Sequence, residues 1–247
     1  MASRLARAHM EAERRLRVAV EQAVRRIWLG LPGYDRENVD EWLSRVVPIV
    51  LAAQAASVRI TDAYVARFLR RAPLGLAPAE LTGAAVRNGT PPEVVYERPF
   101  VTLWAALGAG ADFEDALNKA LARAVSTAAM DVQLAMRATA DAIDQADPGI
   151  YGYQRVADPG ACAFCQEVDG AYVKGSDGFV MALHNNCGCG LEPLTEPHRG
   201  AVRLPDGTQI RPYQFGPLND QVAVHEHGEL GPVLGAAHDN FTGPDDL

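Results

Sequence analysis

Five potential metal ligands in one short window most constrain how this chain can fold. All four cysteines of the 247 residues lie within 28 positions, and a histidine lies among them. The window reads Cys162-x-x-Cys165, then eighteen residues, then His184-x-x-Cys187-x-Cys189. Thiolate and imidazole are the ligands that zinc prefers, and four of them in tetrahedral geometry close a structural site. The pattern therefore predicts that the two arms meet around one zinc ion.

This window holds one more candidate ligand than a tetrahedral ion requires. We expect Cys162, Cys165 and His184 to bind zinc together with Cys187, Cys189 or both. Two disulfides, with three possible connectivities, and four free thiols are the alternatives. The N-terminus has no apolar stretch typical of a secretory signal, so we expect the thiols to meet a reducing cytoplasm, which favours metal over disulfide. A catalytic pair of cysteine and His184 would lack an orienting third group, so no catalytic residue is predicted.

The segment between the two arms carries turn signals. Asp169-Gly170 and Gly175-Ser-Asp-Gly178 flank pieces that favour strands. We therefore expect a small β-hairpin that returns the chain from the first arm to the second.

The first two-thirds of the chain is predicted to be helical. A first helix has apolar residues at helical spacing and ends at Leu31-Pro32-Gly33; these residues are Leu16, Val20, Val24, Ile27 and Trp28. A second helical stretch runs from about position 38 to 71, where Pro48 is expected to kink or divide it. A long helix follows Asp112 as its N-cap and extends to about position 145.

The remaining elements complete the predicted fold, which is mainly α and α+β overall. A strand is expected over 151–156, before the metal module at 158–195. Residues 1–89 form an N-terminal helical region, and 90–197 form a second region that contains this module. Residues 198–247, rich in proline, glycine and acidic residues, are expected to be an extended tail.

Charge is unevenly distributed along the chain, whose net charge is −8. Residues 1–72 hold 13 arginines against 8 acidic residues, whereas 73–247 hold 10 basic against 23 acidic residues. Because duplex binding depends on neutralised phosphates, the chain is not a general nucleic-acid coat, although its basic N-terminal segment could contact DNA. No apolar run reaches the ~20 residues of a membrane span, so no membrane partner is expected.

The metal module resembles the C-terminal motif of the phage Mu F-like head morphogenesis family, which are minor capsid proteins of tailed phages. In that family a Cys-x-x-Cys arm, an Asp-Gly hairpin and a His-x-x-Cys-x-Cys arm follow a helical region. The segment Tyr96-Glu-Arg-Pro-Phe100 and the long helix also resemble the actinobacteriophage branch. The resemblance covers roughly residues 90–195. It departs at Gly188, where arginine is common, and at Leu183, where proline is frequent, and neither departure removes a ligand.

The resemblance implies a structural virion protein and not an enzyme. Such proteins associate with the portal and the capsid interior and assist head assembly, genome packaging or DNA delivery. The implied partners are the portal protein, the major capsid protein, a second copy of the chain, and packaged DNA through the basic N-terminal helices. The implied location is the capsid interior or portal vertex, after assembly in the host cytoplasm.

Two other classes of function remain as alternatives. A zinc-dependent nucleic-acid module predicts a basic surface, but Lys174 is the single basic residue of window 158–198, against six acidic residues. A zinc hydrolase predicts a displaceable ligand and a carboxylate base such as Glu167. A further pair, His225 and His227, has no cysteine or third histidine close in the sequence, so a solvated loop is the expectation there.

Overall fold

Four long helices form the larger part of the computed structural model, which describes residues 3–158, 160–173, 181–184, 187–195, 202–203, 209–212, 216–217 and 221–238. The helices are α1 (Arg4–Leu29), α2 (Asn38–Phe68), α3 (Pro92–Gly108) and α4 (Phe113–Ala146). Two short 3-10 helices lie between α2 and α3, at Pro78–Glu80 and Gly83–Arg87. A one-turn helix, α5 (Ala163–Glu167), follows later in the metal module.

Short strands follow α4 in the described part of the chain. They are β1 (Gly152–Val156), β2 (Ala171–Val173), β3 (Gly190–Leu194), β4 (Val202–Arg203), β5 (Gln209–Pro212), β6 (Gly216–Pro217), β7 (Val222–His227) and β8 (Gly231–Ala236). One sheet has the order β3-β1-β2-β5-β4 and the other has β6-β7-β8. The pairs are antiparallel except β2–β5, which is parallel. The predicted class, mainly α and α+β overall, is confirmed.

Local sequence explains where two of the four long helices, α1 and α4, begin. The side chain of Asp112 accepts a hydrogen bond from the backbone N–H of Glu114 at 2.8 Å, so it is the N-cap of α4 as predicted. Ser3 caps α1 in the same way, through the N–H of Ala6 at 3.0 Å. Each cap satisfies a backbone donor that the first helical turn leaves unbonded.

Tryptophan and phenylalanine rings hold the helical core together. Trp28 of α1 packs edge-on against Trp42 of α2 and Phe100 of α3, with ring centroids 5.1 and 5.0 Å apart. The indole N–H of Trp42 donates to the carbonyl of Tyr96 at 2.6 Å, so its polar atom is satisfied inside the core. Alanines on one face of α4 complete this cluster and let the helices approach closely.

Helix α2 continues through Pro48, so the expected division of this segment does not occur. Proline removes one backbone hydrogen bond, but the neighbouring Val46, Val47 and Val50 are buried in the helical core on both sides of it. By length and composition α2 is apolar enough to cross a membrane, which is weak evidence because core helices pass the same test. Its buried apolar residues, such as Trp42 and Val46, pack into the core that α2 forms with α1, α3 and α4.

The expected extended tail is wrong for its described residues, because β4, β5 and β6 pair within the two sheets and residues 221–238 form an antiparallel hairpin. Strands β7 and β8 pair over six residues each, and Val224 and Leu234 join a core cluster with Met136 of α4. The proline and glycine content misled the prediction: Gly228 lies in the turn, but Pro232 and Gly235 are within β8, where the neighbouring apolar residues pair with β7 and become buried. The rest of the tail region lies largely outside the described residues.

A polar cluster is buried between α1 and α2. The Glu13 carboxyl accepts hydrogen bonds from the Ser57 hydroxyl at 2.9 and 3.0 Å and from Thr61 at 3.5 Å. The His9 ring stacks on Tyr64 and lies 3.1 Å from the Thr61 hydroxyl. Burial raises the pKa of Glu13 to about 7 and lowers the pKa of His9 to about 4. Each shift favours the neutral form of the group.

Glu13→Gln should remove a pH-dependent loss of stability. Between the ordinary carboxyl value of 4.5 and about 7, folded Glu13 keeps a proton that the unfolded chain releases, so rising pH lowers the free energy of unfolding. Relative to Glu13→Gln, the wild type should therefore lose about 3 kcal/mol between pH 4.5 and 8. Urea unfolding at a series of pH values measures this difference. The exposed Glu37→Gln is the control, and parallel profiles for Glu13→Gln and the wild type would contradict the prediction.

Candidate metal centre

The structure brings all five predicted ligands together. The ligand atoms of Cys162, Cys165 and His184 lie within 4.8 Å of one another, and so do the sulfurs of Cys165, Cys187 and Cys189. Cys165 belongs to both groups and is the centre of the cluster. All four cysteines are free thiols.

The interatomic distances suit a tetrahedral ion. The Cys162 sulfur lies 3.3 Å and the Cys165 sulfur 2.8 Å from Nε2 of His184, and the sulfurs of Cys165 and Cys187 are 3.6 Å apart. A tetrahedral zinc with its usual bond lengths separates two sulfurs by about 3.8 Å and a sulfur and a nitrogen by about 3.5 Å. Two distances fit within a few tenths of an ångström, and the third needs a small outward shift of one side chain.

Each arm is shaped by a short backbone motif. Cys162 stands immediately before α5, and its carbonyl accepts a hydrogen bond from the N–H of Gln166 at 3.0 Å. This turn brings Cys165 to the same side as Cys162. In the second arm the N–H of Cys187 donates to the carbonyl of His184 at 3.1 Å, which folds the arm back on itself.

Helix α4 and strand β8 fix the second arm from outside. The side-chain amide of Gln133, which is buried, donates to the carbonyl of Cys187. The N–H of Leu183 donates to the carbonyl of Pro232, and the N–H of Leu234 donates to the carbonyl of Leu183 at 2.7 Å. The arm is therefore held by both the helical part and the C-terminal hairpin.

Arg155 of β1 is a functional residue that the sequence analysis missed. It is fully buried, and its guanidinium lies 3.1 Å from the sulfur of Cys187 and 3.6 Å from that of Cys165. It also donates to the carbonyl of Ala182 at 2.6 Å. A guanidinium at this distance stabilises a thiolate. The sequence did offer one signal for this role. Arg155 is two residues from Tyr153 on the same strand, so both side chains lie on one face, which the aromatic residue suggests is the inner one.

Proton sharing among the thiols makes Cys187 the most acidic of the buried ones. Hydrogen bonds from Cys165 and Cys189, with the charge of Arg155, lower the pKa of Cys187 well below its ordinary value despite burial. The hydrogen bond to Cys187 conversely raises the pKa of Cys165. Metal binding to this cluster would release the shared protons, because the thiolate is the ligand form.

Two glycines allow the second arm to pass close to its neighbours. A Cβ at Gly188 would lie 2.3 Å from a carboxylate oxygen of Asp158, and a Cβ at Gly190 would lie 2.3 Å from Cγ of Met10 in α1. Neither contact is possible for a larger residue without displacement of the neighbour. Gly190 therefore sets how closely α1 approaches β3.

The Tyr96–Phe100 segment lies in α3 and connects three parts of the structure. Tyr96 donates to Asp131 of α4 at 2.6 Å, and Arg98 binds both carboxylate oxygens of Glu229 in the β7–β8 turn at 2.6 and 3.0 Å. Arg87 bridges Asp131 and Glu229. Although burial raises the pKa of Glu229, the hydrogen bond from Arg98 and the charge of Arg87 lower it overall.

The other candidate residues from the sequence lie outside the metal-ligand cluster or outside the residues that the structure describes. The solvated loop expected at His225 and His227 is wrong, because both lie on β7 and His227 is buried. Nε2 of His225 lies 3.0 Å from the Ala236 carbonyl, and His227 accepts from two turn N–H groups. Asp169 accepts from the N–H of Ala157 at 2.8 Å. The predicted hairpin between the arms cannot be followed, because 174–180 are not among the described residues, and neither is the side chain of Glu167.

Comparisons of the chain with protein-family models, with curated proteins and with solved structures find no significant match. The resemblance to the Mu F-like family stays a prediction that depends on the order and spacing of the ligand arms. The cluster itself depends only on the geometry of the five side chains, which could hold a metal ion.

Serine substitutions in the cluster should weaken metal binding unequally. Cys165→Ser should cause the largest loss, because this sulfur belongs to both ligand groups, whereas Cys187 and Cys189 can each partly replace the other. We expect a loss beyond the roughly 100-fold that removal of an outer-shell partner costs. Cobalt titration, followed by sulfur-to-metal charge-transfer absorption, measures the affinity. The exposed His238→Ala is the control, and equal affinities for it and Cys165→Ser would contradict the assignment.

Proposed function

We propose that the chain is a structural protein of a tailed-phage virion, a minor capsid or head morphogenesis component with a zinc-stabilised module. The observation that carries this proposal is the Cys/His cluster, in which two arms with the order of the Mu F-like motif converge beside the long helix α4. In this role the protein acts by assembly, and its helices supply the surfaces that meet other virion proteins.

Zinc is the metal that the donor set favours. The cluster offers up to four sulfurs and one imidazole nitrogen, and such soft ligands in tetrahedral geometry favour zinc over the harder, oxygen-seeking ions. Cys165 would hold the ion together with partners from both arms. When bound, zinc would supply a structural cross-link and folding energy.

The cluster is better suited to a closed structural site than to hydrolysis. A hydrolytic zinc needs a coordination position open to water, whereas this cluster has five ligand atoms for four positions. Cys165, Cys187 and Cys189 are also buried. Gln133 of α4 donates to the carbonyl of Cys187, and Arg155 of β1 contacts the sulfurs of Cys165 and Cys187. We therefore propose no enzymatic activity.

Exposed apolar residues on α3 and at the start of α4 suit a protein partner. Val94 and Val101 are seven residues apart, so they lie on one face of α3, and about half of each side chain is exposed. Phe113, with 52% exposed, is the first residue of α4. We propose that this face contacts the portal or the major capsid protein, or a second copy of the chain.

Exposed arginines on α1 suit packaged DNA. Arg4, Arg7, Arg25 and Arg26 are exposed and lie along a helix that is about 39 Å long. Arg14 and Arg15 are also exposed, but Glu11 binds both of them and offsets their charge. Contacts of this type to phosphates would be sequence-independent and sensitive to salt.

Metal removal should unfold the module before the helical core. The purified chain should contain about one zinc ion, measured by elemental analysis with free-thiol counting. After chelation, hydrogen exchange should rise at the second arm and β3, while the core around Trp28 and Trp42 stays protected, because its packing does not involve the cluster. A well-folded chain without metal and with four reactive thiols would contradict the zinc proposal.

Loss of the protein should impair the virion. A nonsense mutation in the gene, within the phage genome that encodes it, should yield particles with altered genome content or reduced infectivity. Complementation with the wild type should restore both, while complementation with Cys165→Ser should restore them incompletely, since that substitution weakens the module. Normal heads and normal DNA delivery without the protein would overturn the assembly function.

A further inference from the structure

A cavity of about 270 Å³ lies between α1 and the metal centre. Arg14, Arg17 and Glu21 of α1 form one wall. The facing wall belongs to the metal module and includes Asp158, Gly160, Cys162, His184 and Gly188. Neither the sequence pattern nor the proposed function explains why a partly open cavity with charged residues in its walls lies here.

Arg17 is the residue that distinguishes this cavity. It is only 7% exposed, yet in the described part of the chain its guanidinium forms no hydrogen bond and no ion pair within 4.0 Å. Glu13 and Glu21 influence it only at longer range, and Glu13 is occupied by Ser57 and Thr61. Its side chain is packed against the protein, but its nitrogen atoms reach the cavity, where their donors can bond to water or to an ion.

The thiols do not account for Arg17. Arg155 lies 3.1 Å from the Cys187 sulfur and is the guanidinium that offsets the charge of the cluster. Arg17 makes no hydrogen bond to any of the sulfurs among the described contacts. Its donors are therefore available to water or to an ion within the cavity.

We propose that this cavity binds a small oxyanion, with phosphate as the chemical class and Arg17 as its principal ligand. A guanidinium recognises phosphate through paired hydrogen bonds. Arg14 lies at the same wall, but Glu11 binds its guanidinium, so Arg17 is the cation that remains for the ion. The carboxylates of Glu21 and Asp158 also line the cavity and would repel a ligand with a large negative charge. The cavity volume is below that of most drug-sized pockets, so a small ion fits better than a nucleotide.

Titration of the purified full-length protein with inorganic phosphate tests this site. Calorimetry at constant ionic strength, balanced with chloride, should show saturable binding to the wild type. Arg17→Gln should weaken binding at least tenfold, whereas Arg15→Gln, on the exposed face of the same helix, should bind as the wild type does. Glycerol phosphate, titrated in parallel, distinguishes a free ion from an esterified phosphate, because only the ester needs additional room.

A second variant keeps the test valid if Arg17→Gln fails to fold. Gly160 lines the cavity, and a Cβ there would meet no atom within 4 Å, so Gly160→Glu should fold and place a repelling charge at the rim. It should weaken phosphate binding, and Gly160→Ala should not. No saturable binding by the wild type, or wild-type affinity in both Arg17→Gln and Gly160→Glu, would overturn the proposal. These measurements do not involve the virion, so they are independent of the proposed assembly function.

Discussion

One fully buried stretch of α4, residues 128–137, is the constraint on which the rest of the structure depends. Ten consecutive buried residues include polar ones, and a buried polar group without a partner is costly. Asp131 binds Arg87 and Tyr96, Gln133 binds the second metal arm, and Arg137 donates to carbonyls of the C-terminal hairpin. The buried polar residues of α4 thus determine which segments pack around this helix.

This arrangement explains why the metal centre is attached to the helices and is not a separate appendage. The two ligand arms have few apolar residues of their own. Cys165 packs in a hydrophobic cluster that also includes Met130 and Leu134 of α4. Arg155 supplies the positive charge that a group of thiolates needs in a buried site. An ion bound here would stabilise the contact between the module and α4 as well as the module itself.

The docking of α1 onto the module has a consequence of its own. Ser3 donates its N–H to Glu192 of β3 at 3.1 Å, and Gly190 allows the close approach of Met10. Further along α1 the two surfaces separate and leave the partly open cavity at Arg17. The same helix therefore presents exposed arginines to solvent on one side and a largely buried arginine to this cavity on the other.

Sequence alone determined the features that depend on neighbours along the chain. The spacing of apolar residues predicted α1 and α4, Asp112 was identified as an N-cap, and the two ligand arms were recognised by their short spacings. Only the tertiary structure decided the continuity of α2 through Pro48, the hairpin at 221–238, and the contacts of residues on three elements, namely Arg17, Asp131, Gln133 and Arg155. The physical reason is that periodicity and capping act within a few residues, whereas burial, charge pairing and strand pairing depend on which distant segments meet.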